Sequence, residues 1–148
     1  MNYKIYPGTT VGNFMNVGYG TVIGADGAIR GCEEWFGTVR IGEGVTIGAC
    51  VVIARGSGGE TVIGDNCYIM NQALIGHNVD IGNNCEIGGS CSIAGHAVIG
   101  NGVKIKTGAI IRNRVKIADG VTIGMGAVVV CDILEPNTVW YGNPATKR

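Results

Sequence analysis

The sequence predicts an all-β protein folded as a parallel β-helix, in which very short strands wind into triangular coils. The first observation is that an aliphatic residue occupies every sixth position from Ile63 to Val129 without a slip. A period of six fits strand alternation, because six is a multiple of two, whereas no helix repeats at six. The second observation is that a small residue stands two places earlier, as at Cys67, Ala73 and Val79. Both columns therefore face inward, which is the pattern of a hexapeptide solenoid.

The third observation concerns the glycines that follow the aliphatic column. They stand at positions 64, 76, 82, 88, 100 and 124. We expect the missing Cβ to let the chain bend sharply between strands. Three hexads close one coil, so residues about 18 apart stack at the strand spacing of about 4.8 Å. The sequence thus predicts about seven coils within residues 1–134.

Before residue 63 the same period is present in a looser form. Its aliphatic positions are Ile5, Val11, Val17, Ile23 and Ile29, and then Ile41, Ile47 and Ile53. Trp35 stands where an aliphatic residue is due and Glu33 where a small one is due, so segment 31–37 is expected to leave the regular coil. The predicted coils are 5–22, 23–40, 41–62, 63–80, 81–98, 99–116 and 117–134.

Two further segments interrupt the period. The spacing from Ile53 to Ile63 is one hexad plus four residues, and this insertion predicts a protruding loop at 55–60. The repeat ends at Glu135, and residues 135–148 are expected to form an extended tail. Such a tail would cap the open end of the β-helix domain.

Composition narrows the classes of function. The net charge is zero and charged residues make up 15% of the chain, which argues against a nucleic-acid surface or a polybasic membrane patch. No apolar run approaches the roughly 20 residues of a membrane span. Cys67, Cys85 and Cys91 occupy small inward positions, so we expect reduced thiols there. Without a C-x-x-C pair or a histidine cluster we expect no metal, and we expect a cytoplasmic protein.

Two segments stand out within the repeat, Ile75-Gly-His-Asn-Val-Asp-Ile-Gly-Asn-Asn-Cys85 and Ile93-Ala-Gly-His96. With these segments the chain resembles the left-handed β-helix acyltransferases. The two segments resemble the active-site coils of the sugar-nucleotide acyltransferases, including those of lipid A synthesis and the acetyltransferases of amino-sugar pathways. The tail Trp140-Tyr-Gly-Asn-Pro-Ala145 resembles the terminus of the acetyl-CoA-dependent branch. The chain departs from the family in having Gly76 and Asn78 where carboxylates often flank the histidine.

This resemblance implies a function and an assembly. It implies left-handed coils, a homotrimer with each active site between two subunits, and transfer of acetyl from acetyl-CoA to an amino or hydroxyl group of a sugar or nucleotide sugar. His77 would be the general base that takes the proton of the attacking group. Gly95 would stack beneath His77, one coil later, and offer its backbone N–H to the oxyanion. His96 would orient the acceptor or the donor.

The stacking rule places further candidates around His77. Arg55 follows Ile53 as His77 follows Ile75, so loop 55–60 emerges from the same corner one coil earlier, and the Trp35 segment one coil earlier still. Both are expected to frame the acceptor, with Arg55 on an acidic group such as a diphosphate. The acceptor-side candidates are Glu33, Glu34, Trp35, Arg55 and His96. The donor-side candidates are Arg112 and Arg114, for the phosphates of CoA, and Asn143 and Pro144, from the tail resemblance.

Other interpretations fit parts of the sequence. From composition alone, His77 is an ordinary solvated histidine and Gly95 another corner glycine. An acyltransferase that takes a longer chain from acyl carrier protein shares the fold, and so does a non-catalytic scaffold or binding solenoid. A γ-type carbonic anhydrase also shares it but needs three zinc-binding histidines, whereas this chain has two histidines in all.

Overall fold

The computed structural model describes residues 2–148, which form a three-faced parallel β-helix. The predicted all-β, left-handed coil architecture is confirmed. The strands are, in chain order, β1 (Lys4–Ile5), β2 (Thr9–Val11), β3 (Asn16–Val17), β4 (Val22–Ala25), β5 (Thr38–Ile41), β6 (Thr46–Ile47), β7 (Val52–Ala54), β8 (Glu60–Ile63), β9 (Tyr68–Ile69), β10 (Leu74–Ile75), β11 (Asp80–Ile81), β12 (Glu86–Ile87), β13 (Ser92–Ile93), β14 (Val98–Ile99), β15 (Lys104–Ile105), β16 (Ile110–Ile111), β17 (Lys116–Ile117), β18 (Thr122–Ile123), β19 (Val128–Val129), β20 (Val139–Tyr141) and β21 (Thr146–Lys147). Across these described residues no helix is long and apolar enough to cross a membrane.

Each face of the prism is one sheet, to which successive coils add strands. The first face has the order β1-β4-β7-β10-β13-β16-β19, the second face β2-β5-β8-β11-β14-β17, and the third face β3-β6-β9-β12-β15-β18-β20-β21. The coils pair in parallel, and β21 returns antiparallel to β20. In the regular coils the register is 18 residues, as where Ile75 pairs with Ile93. The first face carries seven strands, one for each coil.

The core is a stack of aliphatic side chains that runs along the prism. Ile75 and Ile93 are fully buried, and the other isoleucines of the inward column in the regular coils are buried too. Each such burial stabilises the fold by about 1.5–3 kcal/mol relative to an exposed side chain. The small inward positions include Cys67, Cys85 and Cys91, which are buried free thiols, as predicted. Burial raises the pKa of the Cys91 thiol, so the uncharged form is favoured in the core.

The coil boundaries near the N-terminus differ from the prediction. Val11 pairs with Ile41, so Ile41 belongs to the coil that begins at Ile23 and does not open a new one. Residues 26–37 loop outward between them, and Ile29, expected inside the repeat, is 40% exposed. The boundary predicted after residue 40 is therefore wrong. An insertion as long as two hexads keeps the period of six whether it stays in the coil or leaves it.

The corner glycines serve a different purpose from the one expected. Gly82 does not have a positive φ, and a Cβ at this position would lie 2.9 Å from the backbone carbonyl of Gly100 in the next coil. The glycine directly after the aliphatic residue therefore permits close stacking of coils. The turn itself falls two residues later, where Asn66, Asn84 and Ser90 have φ of 54°, 58° and 56°. Asparagine tolerates this left-handed region better than most residues, which explains its recurrence at the corners.

The C-terminal residues continue the third face. Strand β20 pairs with β18, which sets Trp140 opposite Ile123. In the turn that leads to β21, Ala145 is buried and its N–H donates to the carbonyl of Val128 at 2.8 Å. These contacts tie the tail to the last coil.

Candidate active site

His77 lies at the corner between the first and second faces, in the turn from β10 to β11. We call this edge of the prism the His77 corner. Two insertions leave the same corner in the preceding coils: residues 26–37 after β4, here the long loop, and residues 55–59 after β7, here the short loop. The side chain of His77 is half-buried between these loops and the coil below.

Gly95 lies directly beneath His77 in the next coil. A Cβ at position 95 would meet the imidazole, with Cε1 at 2.8 Å, Cδ2 at 2.9 Å and Nε2 nearest of all. The Nε2 edge of the ring therefore rests on Gly95, and a side chain there would displace it. Within residues 2–148 the backbone N–H of Gly95 donates to no protein acceptor, so it is available to a ligand.

The neighbouring residue Asn78 connects His77 to the short loop. Its Oδ1 lies 2.9 Å from Nδ1 of His77 and accepts hydrogen bonds from the N–H of Ser57 at 3.0 Å and from its hydroxyl at 3.1 Å. Its Nδ2 donates to the carbonyl of Gly58 at 2.5 Å. The backbone N–H of Asn78 donates to Oγ1 of Thr61 at 2.8 Å, and Thr61 is fully buried.

Trp35 brings the long loop over the histidine. Its ring stands edge-on to that of His77, with the centroids 5.8 Å apart and the planes at 79°. The indole packs on the start of its own loop, because a Cβ on Gly27 would lie 2.6 Å from it. Glu33 and Glu34 are exposed on the same loop. The predicted departure of this segment from the coil is confirmed. It brings the indole of Trp35 next to His77.

His96 forms the opposite wall of the site. Its ring is perpendicular to that of His77, with centroids 5.0 Å apart, and its backbone N–H donates to the carbonyl of His77 at 3.0 Å. Desolvation, and then the charges of Arg114 and His77, lower the pKa of His96. Its neutral form is thereby favoured. Among residues 2–148 no three His, Cys, Asp or Glu side chains come together as metal ligands.

Arg55 points away from the imidazole, toward the N-terminal coils. Its Nε donates to the carbonyl of Gly24 at 2.8 Å and lies 3.4 Å from Oδ1 of Asp26, and the guanidinium carbon is 5.9 Å from the ring centre of Tyr6. The side chain is 18% exposed. In this arrangement Arg55 fastens the start of the long loop.

The donor-side candidates fall at two different corners. Arg112 and Arg114 lie on the His77 corner one coil beyond Gly95, and they line a cleft of about 240 Å³ together with Asp132. Asn143 and Pro144 lie in the turn from β20 to β21, beside the other edge of the first face, where the N–H of Val128 donates to the carbonyl of Gly142 at 2.9 Å. Within one chain these two pairs do not meet.

The outward side of the first face is largely apolar. Val52 in β7, Leu74 in β10 and Ile110 in β16 are 36%, 45% and 47% exposed. Val22 and Val128 extend the same column and are half-buried. This apolar column borders the His77 corner along most of the prism.

The repeat pattern does not predict Ser57 or Thr61 as site residues, and Asn78 stands out in the sequence only as a departure from the carboxylates that often flank the histidine. A signal for Asn78 existed, because the third residue after each aliphatic position is the one with positive φ, and asparagine recurs there at 66, 78 and 84. No signal in the sequence identified Ser57, since its bond to Asn78 spans 21 residues.

The repeats resemble those of known proteins. The model of the bacterial transferase hexapeptide repeat matches residues 60–95 and again 96–131. Residues 60–131 therefore carry the hexapeptide repeat of this family. The matched repeats include His77, Gly95, His96 and Arg114.

Similar proteins of this kind are acyltransferases. UDP-3-O-acylglucosamine N-acyltransferase of Chromohalobacter salexigens is 40% identical over 85 residues, which are 53% of this chain and 24% of that protein. The structure of a UDP-N-acetylglucosamine acyltransferase from Bacteroides fragilis is 27% identical with a TM-score of 0.94, over 99% of this chain and 58% of that one. A histidine-to-asparagine mutant of perosamine N-acetyltransferase from Caulobacter crescentus, in complex with CoA and GDP-perosamine, is 26% identical with a TM-score of 0.73, over 90% of this chain and 57% of that one.

The chain spans only part of the length of these relatives. It matches about a quarter of the length of the curated acyltransferases and under three fifths of the two solved structures. The likeness therefore concerns the coils and the His77 corner.

Proposed function

We propose that this chain is an acyltransferase that moves acetyl from acetyl-CoA to an amino or hydroxyl group of a sugar or nucleotide sugar. The observation that carries the proposal is the contact between His77 and Gly95. The Nε2 edge of the imidazole rests on Gly95, and the half-exposed Trp35 lies over the ring. A base and a free backbone N–H from adjacent coils are the two groups that acyl transfer to a nucleophile requires.

In the proposed mechanism His77 takes the proton from the attacking amine or hydroxyl. The nucleophile then forms a bond to the thioester carbonyl carbon, and the carbonyl oxygen becomes an oxyanion. The N–H of Gly95 donates a hydrogen bond to that oxyanion. When the tetrahedral intermediate collapses, the C–S bond breaks and the thiolate of CoA receives the proton held by His77.

The acceptor is proposed to lie on the N-terminal side of His77, between the long and short loops. The indole of Trp35 can pack by its edge or its face against the sugar ring or the nucleobase of the acceptor. His96 closes the site from below, and its neutral imidazole can both donate and accept a hydrogen bond. Because Arg55 is engaged by Asp26 and Gly24, its proposed role toward the acceptor requires release of that ion pair. Glu33 and Glu34 remain candidates for polar contacts.

The donor is proposed to run along the coils toward the C-terminus. Arg112 and Arg114 are exposed there and suit the phosphates of CoA. CoA together with a nucleotide sugar occupies the similar perosamine N-acetyltransferase, which supports the same pair of substrates here. Asn143 and Pro144 lie at the other corner of the chain, so they would contact a donor bound at the His77 corner of a neighbouring subunit.

The assembly proposed is a homotrimer. The apolar column of Val22, Val52, Leu74, Ile110 and Val128 on the first face supports it, because such an exposed strip is costly in water. Light scattering coupled to gel filtration should give three chains. A monomer that still turned over substrate would refute an active site shared between subunits.

A second candidate is a longer-chain acyltransferase that draws on acyl carrier protein. It is favoured by the names of the UDP-sugar relatives, which specify an acyl and not an acetyl group. The test is a panel of acetyl-CoA, longer acyl-CoAs and acyl carrier protein thioesters against amino sugars and nucleotide sugars, with thiol release as the signal. Turnover with acetyl-CoA that is lost in His77→Ala supports the proposal, preference for a carrier-protein thioester supports the second candidate, and no turnover with any pair favours a binding solenoid.

A further inference from the structure

A neutral histidine can act as a base only through the ring nitrogen that carries no proton. For His77 the choice between the two nitrogens depends on Asn78, because Oδ1 of Asn78 faces Nδ1 at 2.9 Å. If the amide oxygen faces the ring, Nδ1 must hold the proton and donate it. If the amide nitrogen faced the ring, Nδ1 would have to be the acceptor.

Two backbone groups of the short loop fix which end of the amide faces the ring. The N–H of Ser57 donates to Oδ1 at 3.0 Å, and the carbonyl of Gly58 accepts from Nδ2 at 2.5 Å. A backbone N–H can only donate and a carbonyl can only accept, so neither contact survives a flip of the amide. The flipped amide would set donor against donor and acceptor against acceptor, and would lose both hydrogen bonds. The oxygen of Asn78 therefore faces His77.

The backbone of Asn78 is held separately from its side chain. Its φ is 59°, and its N–H donates to the fully buried Thr61 at 2.8 Å. The same position in the following corner is Asn84, with a φ of 58°. Further along, Gly102 takes this position with a φ of 63°, so the turn forms without any side chain. The turn therefore does not need the side-chain amide of Asn78, and this amide can hydrogen-bond to the imidazole.

We propose that Asn78 is a positioning residue that holds His77 in the tautomer protonated on Nδ1, and that Ser57 and Gly58 of the short loop set the orientation of its amide. The unprotonated Nε2 then faces Gly95, where the proposed function places the reacting acyl group. The catalytic consequence of this inference rests on the proposed function, whereas the tautomer itself rests on the hydrogen bonds alone. The short loop thereby has two roles, since it frames the acceptor and also orients the base.

The tautomer is measured by NMR of the full chain labelled with ¹⁵N-histidine, at a pH where both imidazoles are neutral. Protonated and unprotonated ring nitrogens have well-separated shifts, and a His77→Gln spectrum identifies the signals of His77, since the chain has only two histidines. We expect His77 to carry its proton on Nδ1. In Asn78→Gly, which suits the positive φ, we expect His77 to shift to the Nε2–H form that predominates in free imidazoles.

Two matched variants separate this role from general damage. Asn84→Gly makes the same change at the same turn position of the next corner and should leave the His77 spectrum unchanged. Ser57→Ala keeps the backbone N–H that fixes the amide, so the tautomer should persist. In kinetics, Asn78→Gly should lower kcat by roughly 10²-fold, the scale for losing a general base, with the affinity for CoA unchanged.

The outcomes separate the inference from the proposed function. An Nε2–H form of His77 in the unmodified protein, or an unchanged tautomer in Asn78→Gly, would overturn the role of Asn78. A chain that shows the expected tautomer and its loss in Asn78→Gly, yet transfers no acyl group from any donor, would overturn the function and leave the positioning role established.

Discussion

Gly95→Ala tests the contact between His77 and Gly95 with the smallest possible change. Alanine keeps the backbone N–H that is proposed to bind the oxyanion, so only the added methyl group acts. That methyl would lie 2.8 Å from Cε1 and 2.9 Å from Cδ2 of His77. An ordinary carbon–carbon contact is about 3.5–4.0 Å, so the ring must move by roughly 1 Å. A misplacement of that size costs about 10²-fold in rate.

We therefore expect Gly95→Ala to lower kcat by about 10²-fold while the melting temperature changes little, because position 95 has no positive φ and is partly exposed. Steady-state kinetics and thermal unfolding measure the two quantities. Gly89→Ala is the matched control, since Gly89 holds the same place at another corner and its added Cβ would meet only the carbonyl of Asn71 at 3.2 Å. Normal turnover in Gly95→Ala would refute the assignment of His77, positioned by its contact with Gly95, as the base.

The remaining predictions concern the base, the short loop and a hydrogen bond that joins two coils. His77→Ala should lower kcat by roughly 10²-fold or more and His96→Ala by less, and the reverse order would assign the base to His96. Joining residues 55 and 60 directly should raise the acceptor KM and also lower kcat, because Asn78 loses its partners, while calorimetry shows unchanged CoA affinity; normal kinetics would make the loop irrelevant. Asn83→Ala should cost about 1 kcal/mol in denaturant unfolding, since its Oδ1 accepts from the N–H of Asp65 at 2.8 Å, and an unchanged midpoint would contradict this.

The short-loop prediction changes once the structure is known. From the sequence, removal of residues 56–59 restores the unbroken period and affects the acceptor alone. The contacts of Ser57 and Gly58 with Asn78 connect that loop to the base as well. An effect on kcat is therefore part of the expectation, and it distinguishes a framing loop from one that also orients His77.

Much of the candidate site follows from stacking arithmetic. The spacing of residues alone predicts that Gly95 lies under His77 and that the two loops leave one corner, and the structure shows both arrangements. The arithmetic works because parallel coils repeat at a fixed length, so position in sequence converts to position along one edge. It does not give the direction of a long side chain, and Arg55 accordingly turns toward Asp26 instead of the imidazole.

The solenoid, its inward columns and the corner that carries His77 follow from the order of residues alone, because these features depend on a local period of six that every coil repeats. The folded chain alone establishes that residues 26–37 loop outward, since an insertion of two hexads preserves the period in either case. It also establishes the partners of Asn78, which come from Ser57, Gly58 and Thr61 in the preceding coil. Hydrogen bonds between coils depend on which side chains face each other across a turn, and a one-dimensional repeat does not contain that information.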